Sequence, residues 1–326
     1  MYMAVPNYFL VKMSFTKLRL LGILLCLFFF ALTSSAQLAN SNYGLRSKMG
    51  IALSHEISEG TFDYIGQDGD DVDLFQQTTN FQAAFPLILK IDTLSPKVKL
   101  NILKAEYTFR NIENIYTGNP TVEQTLLAEN FYANSVSLAY LHTIGYPLMM
   151  QHSIRVTYAG DYGDNNPLNL NASSFLLWRV NDRLMLGVGA LYQQMEDQIS
   201  FLVVPYMDWR ASEKWFVEVT MPDRILVGRN FGKEKQTQLA WGTYIEFFTR
   251  FAFQQNGQNL IYENFDIASG LDFRTRLKGK LHLNAFIGNN FLKDISIKDN
   301  DLNELNAVSS NIGINARIGL SLNLED

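Results

Sequence analysis

The chain has 326 residues, with 27 Lys and Arg against 32 Asp and Glu for a formal net charge of −5, and one cysteine. The mildly acidic balance argues against nucleic acid as a partner, and one cysteine builds neither a disulfide framework nor a Cys-based metal centre. A mean hydropathy of −0.04 with 13% aromatic residues fits an ordinary soluble protein. It equally fits a membrane barrel, in which lipid-facing and water-facing residues cancel in the average.

Residues 1–36 read as a targeting segment. Lys17 and Arg19 form a positive n-region, residues 20–32 an apolar core that includes Phe28, Phe29 and Phe30, and Ser34-Ser35-Ala36 a small-residue cleavage site. The apolar run is too short for a spanning helix of about 20 residues. Met13 starts a better signal than Met1. The expected mature chain is a single domain, residues 37–326, released by cleavage after Ala36. Cys26 leaves with the signal, and Leu25 stands where a lipidated Cys needs a small residue before it. Removal of Lys12, Lys17 and Arg19 without any acid moves the net charge from −5 to −8. No later stretch is apolar for the roughly 18 residues a membrane helix needs.

Fourteen strand candidates follow: residues 46–57, 80–90, 100–112, 131–144, 148–160, 170–180, 183–193, 198–210, 214–221, 224–231, 237–250, 261–276, 280–291 and 308–324. The last is the most regular. Its even positions read Ile312, Ile314, Ala316, Ile318, Leu320, Leu322 and Leu324; its odd positions read Asn311, Gly313, Asn315, Arg317, Gly319, Ser321 and Asn323. Strand side chains alternate between faces, so one face is apolar and the other polar or Gly. Most candidates have the roughly 9–11 residues of a tilted strand that crosses a bilayer.

Connection lengths alternate too. Tight turns are expected at Gly145-Tyr146-Pro147, Asn181-Asp182, Ala211-Ser212-Glu213 and Lys278-Gly279, and long polar loops at residues 58–79, 113–130, 161–169 and 292–307. Outer-membrane barrels have short periplasmic turns and long external loops. With both termini on the periplasmic side, the strand count is even. The candidates 214–221 and 224–231, joined at Met221-Pro222-Asp223, are short. Counting them gives fourteen strands; demoting both gives twelve. The expectation is therefore all-β: an antiparallel up-and-down transmembrane β-barrel of 12–14 strands in the outer membrane of a Gram-negative bacterium. A soluble β-sandwich is the alternative, but its strands are shorter and its loops do not alternate in this way.

The apolar face should meet lipid, as with Val136, Leu138 and Tyr140 or Leu184, Leu186 and Val188. Trp178, Trp209 and Trp215 beside tight turns suit an interfacial girdle. The opposite face should line a lumen with Lys104, Glu106, Arg110, Arg155, Arg179, Asp208, Arg210, Glu218, Glu246, Arg250, Asp272, Arg274 and Arg317. Charges of both signs are mixed in this set. Two readings follow: a narrow pore selecting small polar solutes, or a salt-bridge network that closes the lumen. Gly187, Gly189, Gly270, Gly288, Gly313 and Gly319 share that face, where they leave room for a pore or admit bulky neighbours.

Of the four histidines, His142 and His152 flank a turn on the apolar face, and Ser54-His55 and His152-Ser153 point to opposite faces as sequence neighbours. His282 shares the lumen face with Asn284 and is the one candidate base for a barrel hydrolase. The acidic run Asp68-Gly69-Asp70-Asp71-Val72-Asp73 lacks the EF-hand Gly and closing Glu, so it reads as a solvated loop. No cofactor or metal motif is present.

The hairpin Trp178-Arg179-Val180-Asn181-Asp182-Arg183-Leu184, with Gly187 and Gly189 following, is echoed by Pro205-Tyr206-Met207-Asp208-Trp209-Arg210 and Ser212-Glu213-Lys214-Trp215, and Met221-Pro222 precedes Arg224. This scheme resembles the outer-membrane β-barrel family of unknown function from Bacteroidetes-type bacteria. The resemblance implies fold and location, with membrane lipids and the barrel-insertion machinery as partners, and no activity. The sequence departs from many such barrels in ending Leu324-Glu325-Asp326 rather than on an aromatic residue. A loop-mediated binding or scaffold barrel is a further alternative, with residues 113–130 as the binding loop.

Overall fold

The computed structural model describes residues 49–64, 72–92, 99–118, 130–161, 168–195, 198–221, 223–232, 236–255, 257–299, 304–310 and 313–323. The signal segment, the acidic loop to Asp71, Pro222 and the last three residues lie outside the described residues.

Fifteen strands are formed: β1 (Gly50–Tyr64), β2 (Val72–Asp92), β3 (Lys99–Gly118), β4 (Asn130–Gly145), β5 (Leu148–Gly160), β6 (Leu168–Asn181), β7 (Leu184–Met195), β8 (Gln198–Trp209), β9 (Trp215–Thr220), β10 (Arg224–Phe231), β11 (Thr237–Gln255), β12 (Gln258–Lys278), β13 (Leu281–Lys298), β14 (Glu304–Ser310) and β15 (Gly313–Asn323). Each strand from β1 to β13 pairs antiparallel with the next in the chain. The last two are in line: β15 fills the gap between β13 and β1 near the tight turns, and β14 fills it further up. They share one place in the wall, so the barrel is closed and has fourteen strands. The short candidates on either side of Met221 are real strands, β9 and β10, which settles fourteen over twelve.

The outer face inverts the rule for a water-soluble protein. Val136, Val188, Val203, Ile287 and Ile318 are exposed, as are Leu53, Leu87 and Leu320. A belt of this kind needs an apolar solvent. Trp178, Trp209, Trp215 and Trp241 are exposed near the short-turn end, where Arg229 lies 5.6 Å over the Trp215 ring and 5.2 Å over that of Phe231. An indole with one wet edge suits the bilayer interface.

Several strands run further than their alternation predicts, and in β11 and β13 a β-bulge is the reason. Phe291 is an extra residue between the pairs Ile267↔Leu292 and Ala268↔Asn290. Below it the even residues of β13, such as Phe286 and Asn290, turn inward; above it the odd ones, Lys293, Ile295 and Ile297, are buried instead. In β11 the register shifts between Glu246 and Thr249, which likewise brings Phe251 and Phe253 inward after Tyr244. One extra residue exchanges the faces of a strand. A period-two reading therefore stops at the bulge in these two strands, and the expected loop 292–307 is strand at both ends; the expected loop 58–79 is also strand at both ends, and residues 113–118 continue β3, there without a register shift.

Candidate functional site

Counted upward from the short turns, the inward residues form three layers. The lowest is apolar, with Leu100, Leu141, Met149, Leu177, Met185 and Tyr206 on the β3–β8 side and Phe216, Leu226 and Ala240 on the β9–β11 side. The middle layer is polar and borders a half-open cavity of about 920 Å³. The highest is apolar again: Leu74, Ile112, Phe131, Phe251, Phe253, Leu260, Tyr262, Ile295 and Ile297. Phe131 sits at its centre, fully buried, 4.5 Å from the Tyr262 ring, 5.1 Å from Phe251 and edge-on to Phe253 at 5.8 Å.

The layering follows from strand number. Below the upper ends of β9 and β10, at the floor and the lower part of the chamber, the wall contains all fourteen strands. At the top β11 meets β5 directly, pairing parallel at Ala252↔Gly160. Asp161 N donates to Ala252 O at 3.0 Å, and Gln254 N donates to the Asp161 Oδ2 carboxylate at 3.0 Å. Strands β6 to β10 are thus left out of the upper ring, which has nine places. A ring of about eight strands is filled by its own side chains, whereas a wider one leaves a space. The dry ceiling and the open chamber are consequences of that change.

Charges in the chamber wall are joined in pairs. Lys104 Nζ lies 2.9 Å from Glu106, whose other oxygen accepts from Arg155 at 3.0 Å. Arg210 bridges Asp208 and Glu218, both at 2.9 Å, and lies 5.3 Å over the Phe216 ring. Arg224 approaches Glu218 at 3.6 Å. Arg317 sits between Glu56 and Asp272, each at 4.0 Å, and stacks 4.6 Å from Tyr244, whose hydroxyl donates to Asp272. Near the ceiling Lys293, only 2% exposed, donates to Ser58 Oγ at 3.0 Å and Gln76 Oε1 at 2.9 Å and lies 3.8 Å from Asp266. Lys298 and Glu263 form a further ion pair.

Of the residues assigned to the lumen by sequence, Lys104, Glu106, Arg110, Arg155, Asp208, Glu218 and Arg317 line the cavity. Arg210 and Asp272 touch that set as described. Arg179 lies beside the β6–β7 turn, paired with Asp182 at 2.7 Å, away from the chamber. Arg274 is cross-strand from Gln238 and Asn284 below it. The side chains of Glu246 and Arg250 lie outside the described residues. His282 is buried in the floor between the backbone positions of Arg276 and Ser321, outside the cavity lining. His142 stacks on Tyr140 at 4.9 Å and lies 5.7 Å from His152, which meets Ser174 at 3.1 Å. Among the described residues, no group of three or more His, Cys, Asp or Glu is placed to hold a metal ion.

Three of the lumen glycines make room for neighbours rather than for a pore. A Cβ on Gly189 would lie 2.3 Å from the Phe175 ring. Gly270 and Gly288 face each other across β12 and β13, where a Cβ on Gly270 would lie 2.2 Å from the Ile287 carbonyl oxygen. Sequence reasoning missed Lys293 and Asp223, because one follows a bulge and the other sits in a turn; both signals were local charges without a visible partner strand.

A closed antiparallel wall, an apolar outer belt and a polar chamber define a transmembrane β-barrel of outer-membrane type. The chain belongs to a family described as a domain of unknown function, DUF6268, whose model matches residues 60–325. No curated protein matches it. Solved structures similar to it include a deltaS2 mutant of the TodX monoaromatic hydrocarbon channel, at 10% identity over 90% of this chain and 94% of that one, with a TM-score of 0.46. A Pseudomonas aeruginosa FadL homologue is similar at 8% identity over 84% and 89% of the two chains, TM-score 0.40. The KdgM porin in complex with disordered oligogalacturonate is similar at 8% identity over 84% and 98%, TM-score 0.36.

Proposed function

We propose that this protein is an outer-membrane barrel of a Gram-negative bacterium, of the Bacteroidetes type, delivered by a leader cleaved after Ala36, whose chamber admits small polar solutes. The carrying observation is the half-open, polar-walled space of about 920 Å³ in the lumen. It lies in the size range of ligand sites, roughly 300–1,000 Å³. Its charges are of both signs and most of them are paired, so it holds a polar solute without attracting one sign of ion strongly. Barrels of similar fold include a hydrocarbon channel and a porin crystallised with an oligogalacturonate; the polar lining here favours the second kind of solute.

Planar-bilayer recording of the refolded chain from Gln37 tests this reading. Small, steady current steps are the expected result. Passage should rise when Phe131→Ala opens the ceiling. A protein that inserts but carries no current, in wild type and Phe131→Ala alike, removes the channel reading.

A further inference from the structure

The wall is incomplete beside the chamber. Strand β9 has 6 residues and β10 has 8, against 12 in β8 and 19 in β11. At about 3.3 Å per residue and a tilt near 40°, β9 climbs roughly 15 Å of an apolar belt about 25 Å tall. The β8–β9 ladder stops at Tyr206↔Thr220, and the next residue of β8 is Pro205, which has no N–H to continue it. On the other side the β10–β11 ladder stops at Arg224↔Tyr244, followed only by Ile245 N donating to Asp223 O at 3.0 Å. Above these points, among the described residues, β8 has no partner strand on that edge. Among the described residues, the same edge of β11 pairs with no strand between Tyr244 and Ala252, where it meets Gly160.

This gap opens at bilayer depth and into the chamber. On its flank the outward residues Ile199, Phe201 and Val203 of β8 are 65%, 67% and 61% exposed, the mark of a lipid-facing strand. Behind it, Thr220, Met221, Asp223, Arg224 and Ile245 line the polar cavity. Leu202, whose parity in β8 is that of the inward Val204 and Tyr206, is nonetheless 40% exposed. Bare strand edges do not persist against hydrocarbon; they are tolerated where they border water or polar groups. The edges of β8 and β11 are therefore bathed from the chamber side.

We infer that the gap between β8 and β11 is a lateral port, through which the chamber takes the polar head of a bilayer amphiphile while its hydrocarbon chain stays in the membrane. Five cationic and six anionic side chains line the chamber. That near balance suits a zwitterionic head rather than a strongly charged one, since a net charge of either sign would meet nearly cancelling fields. The ceiling around Phe131 narrows the alternative way in from above. The inference rests on the chamber being a solute site, and goes beyond it in naming the doorway and the class of molecule.

Lysophosphatidylcholine carrying a nitroxide tests it. A fluorophore on Ser173→Cys reports from the chamber wall, in a mature chain with no other cysteine. In phosphatidylcholine vesicles, a nitroxide on the choline head should quench this label several-fold more than one at the chain terminus. Water-soluble choline nitroxide should quench it weakly. Thr220→Trp, at the lower edge of the gap, or Leu202→Trp, on its β8 flank, should each reduce quenching by the lysolipid, in protein whose folding is verified by its heat-dependent gel mobility. Quenching by the water-soluble probe as strong as by the lysolipid, or the absence of quenching by both, overturns the port. So does quenching that survives both Trp substitutions. Current without lysolipid quenching keeps the solute chamber and removes the port; quenching without current keeps the port and removes the axial channel.

Discussion

The wall of this barrel is tall on one side and low on the other. From β11 through β13, and again from β1 to β4, strands of 15 to 21 residues rise past the lipid belt. Their upper inward residues form the ceiling. From β6 to β10 the strands have 6 to 14 residues and stop lower. The tall side behaves as a packed core that happens to be built on a membrane wall, held by aromatic stacking and a buried lysine. The low side leaves an exposed edge beside the polar chamber, which strands of both sides line. The difference teaches that, among the described residues, strand length sets where the lumen has a dry ceiling and where its wall is left open.

The comparison can be broken most severely at the ceiling. Phe131→Ala leaves a cavity among Phe251, Phe253 and Tyr262, and should lower unfolding stability by about 3–5 kcal/mol. Urea titration followed by gel mobility checks the loss, and bilayer recording checks the accompanying rise in conductance. Lys293→Ala should cost about 3 kcal/mol, because Asp266 then stays buried beside a lost cation; the same titration reads it. In the floor, Gly189→Ala drives a methyl group into the Phe175 ring. A loss of about 1–3 kcal/mol is expected, and Phe175→Leu should recover part of it by yielding space. The smallest effect belongs to the wet side. The Arg155 side chain is 47% exposed, so Arg155→Ala should change stability by less than about 1 kcal/mol. Reversal-potential measurements should nevertheless shift toward cation preference, since Glu106 loses one of its two partners. An unchanged reversal potential would place Arg155 outside the conducting path.

Much of this was legible in the sequence because alternation is a local signal. Residues 131–144 and 148–160 show it plainly, and β4 and β5 begin and end within a residue of those limits. Lys104, Glu106 and Arg155 were legible as inward residues for the same reason. Their partnership was not, since Glu106 and Arg155 are 49 positions apart and meet only across two strand pairings. Phe251 and Lys293 were illegible for a different reason. Each lies beyond a bulge, where the parity that identified their strands has been exchanged. The low wall could be read only as a doubt over two short strands, because strand length gains its meaning from the height of its neighbours.

The polar cluster around Lys293 has a consequence for assembly. Asn290 donates to Ser58 Oγ across 232 positions of sequence, and Asn315 donates to both Glu56 and Asn290. These contacts join the first strands to the last, so they mark the seam at which an open sheet becomes a ring. An unclosed edge would carry a lysine and two amides without their hydrogen-bond partners into a medium that supplies none. Closing one residue out of register would turn the same groups to the wrong face. The seam therefore acts as a keyed latch: the correct closure is the arrangement in which Lys293, Asn290 and Asn315 all find their partners, and it ties the end of insertion to a single alignment of the two ends of the chain.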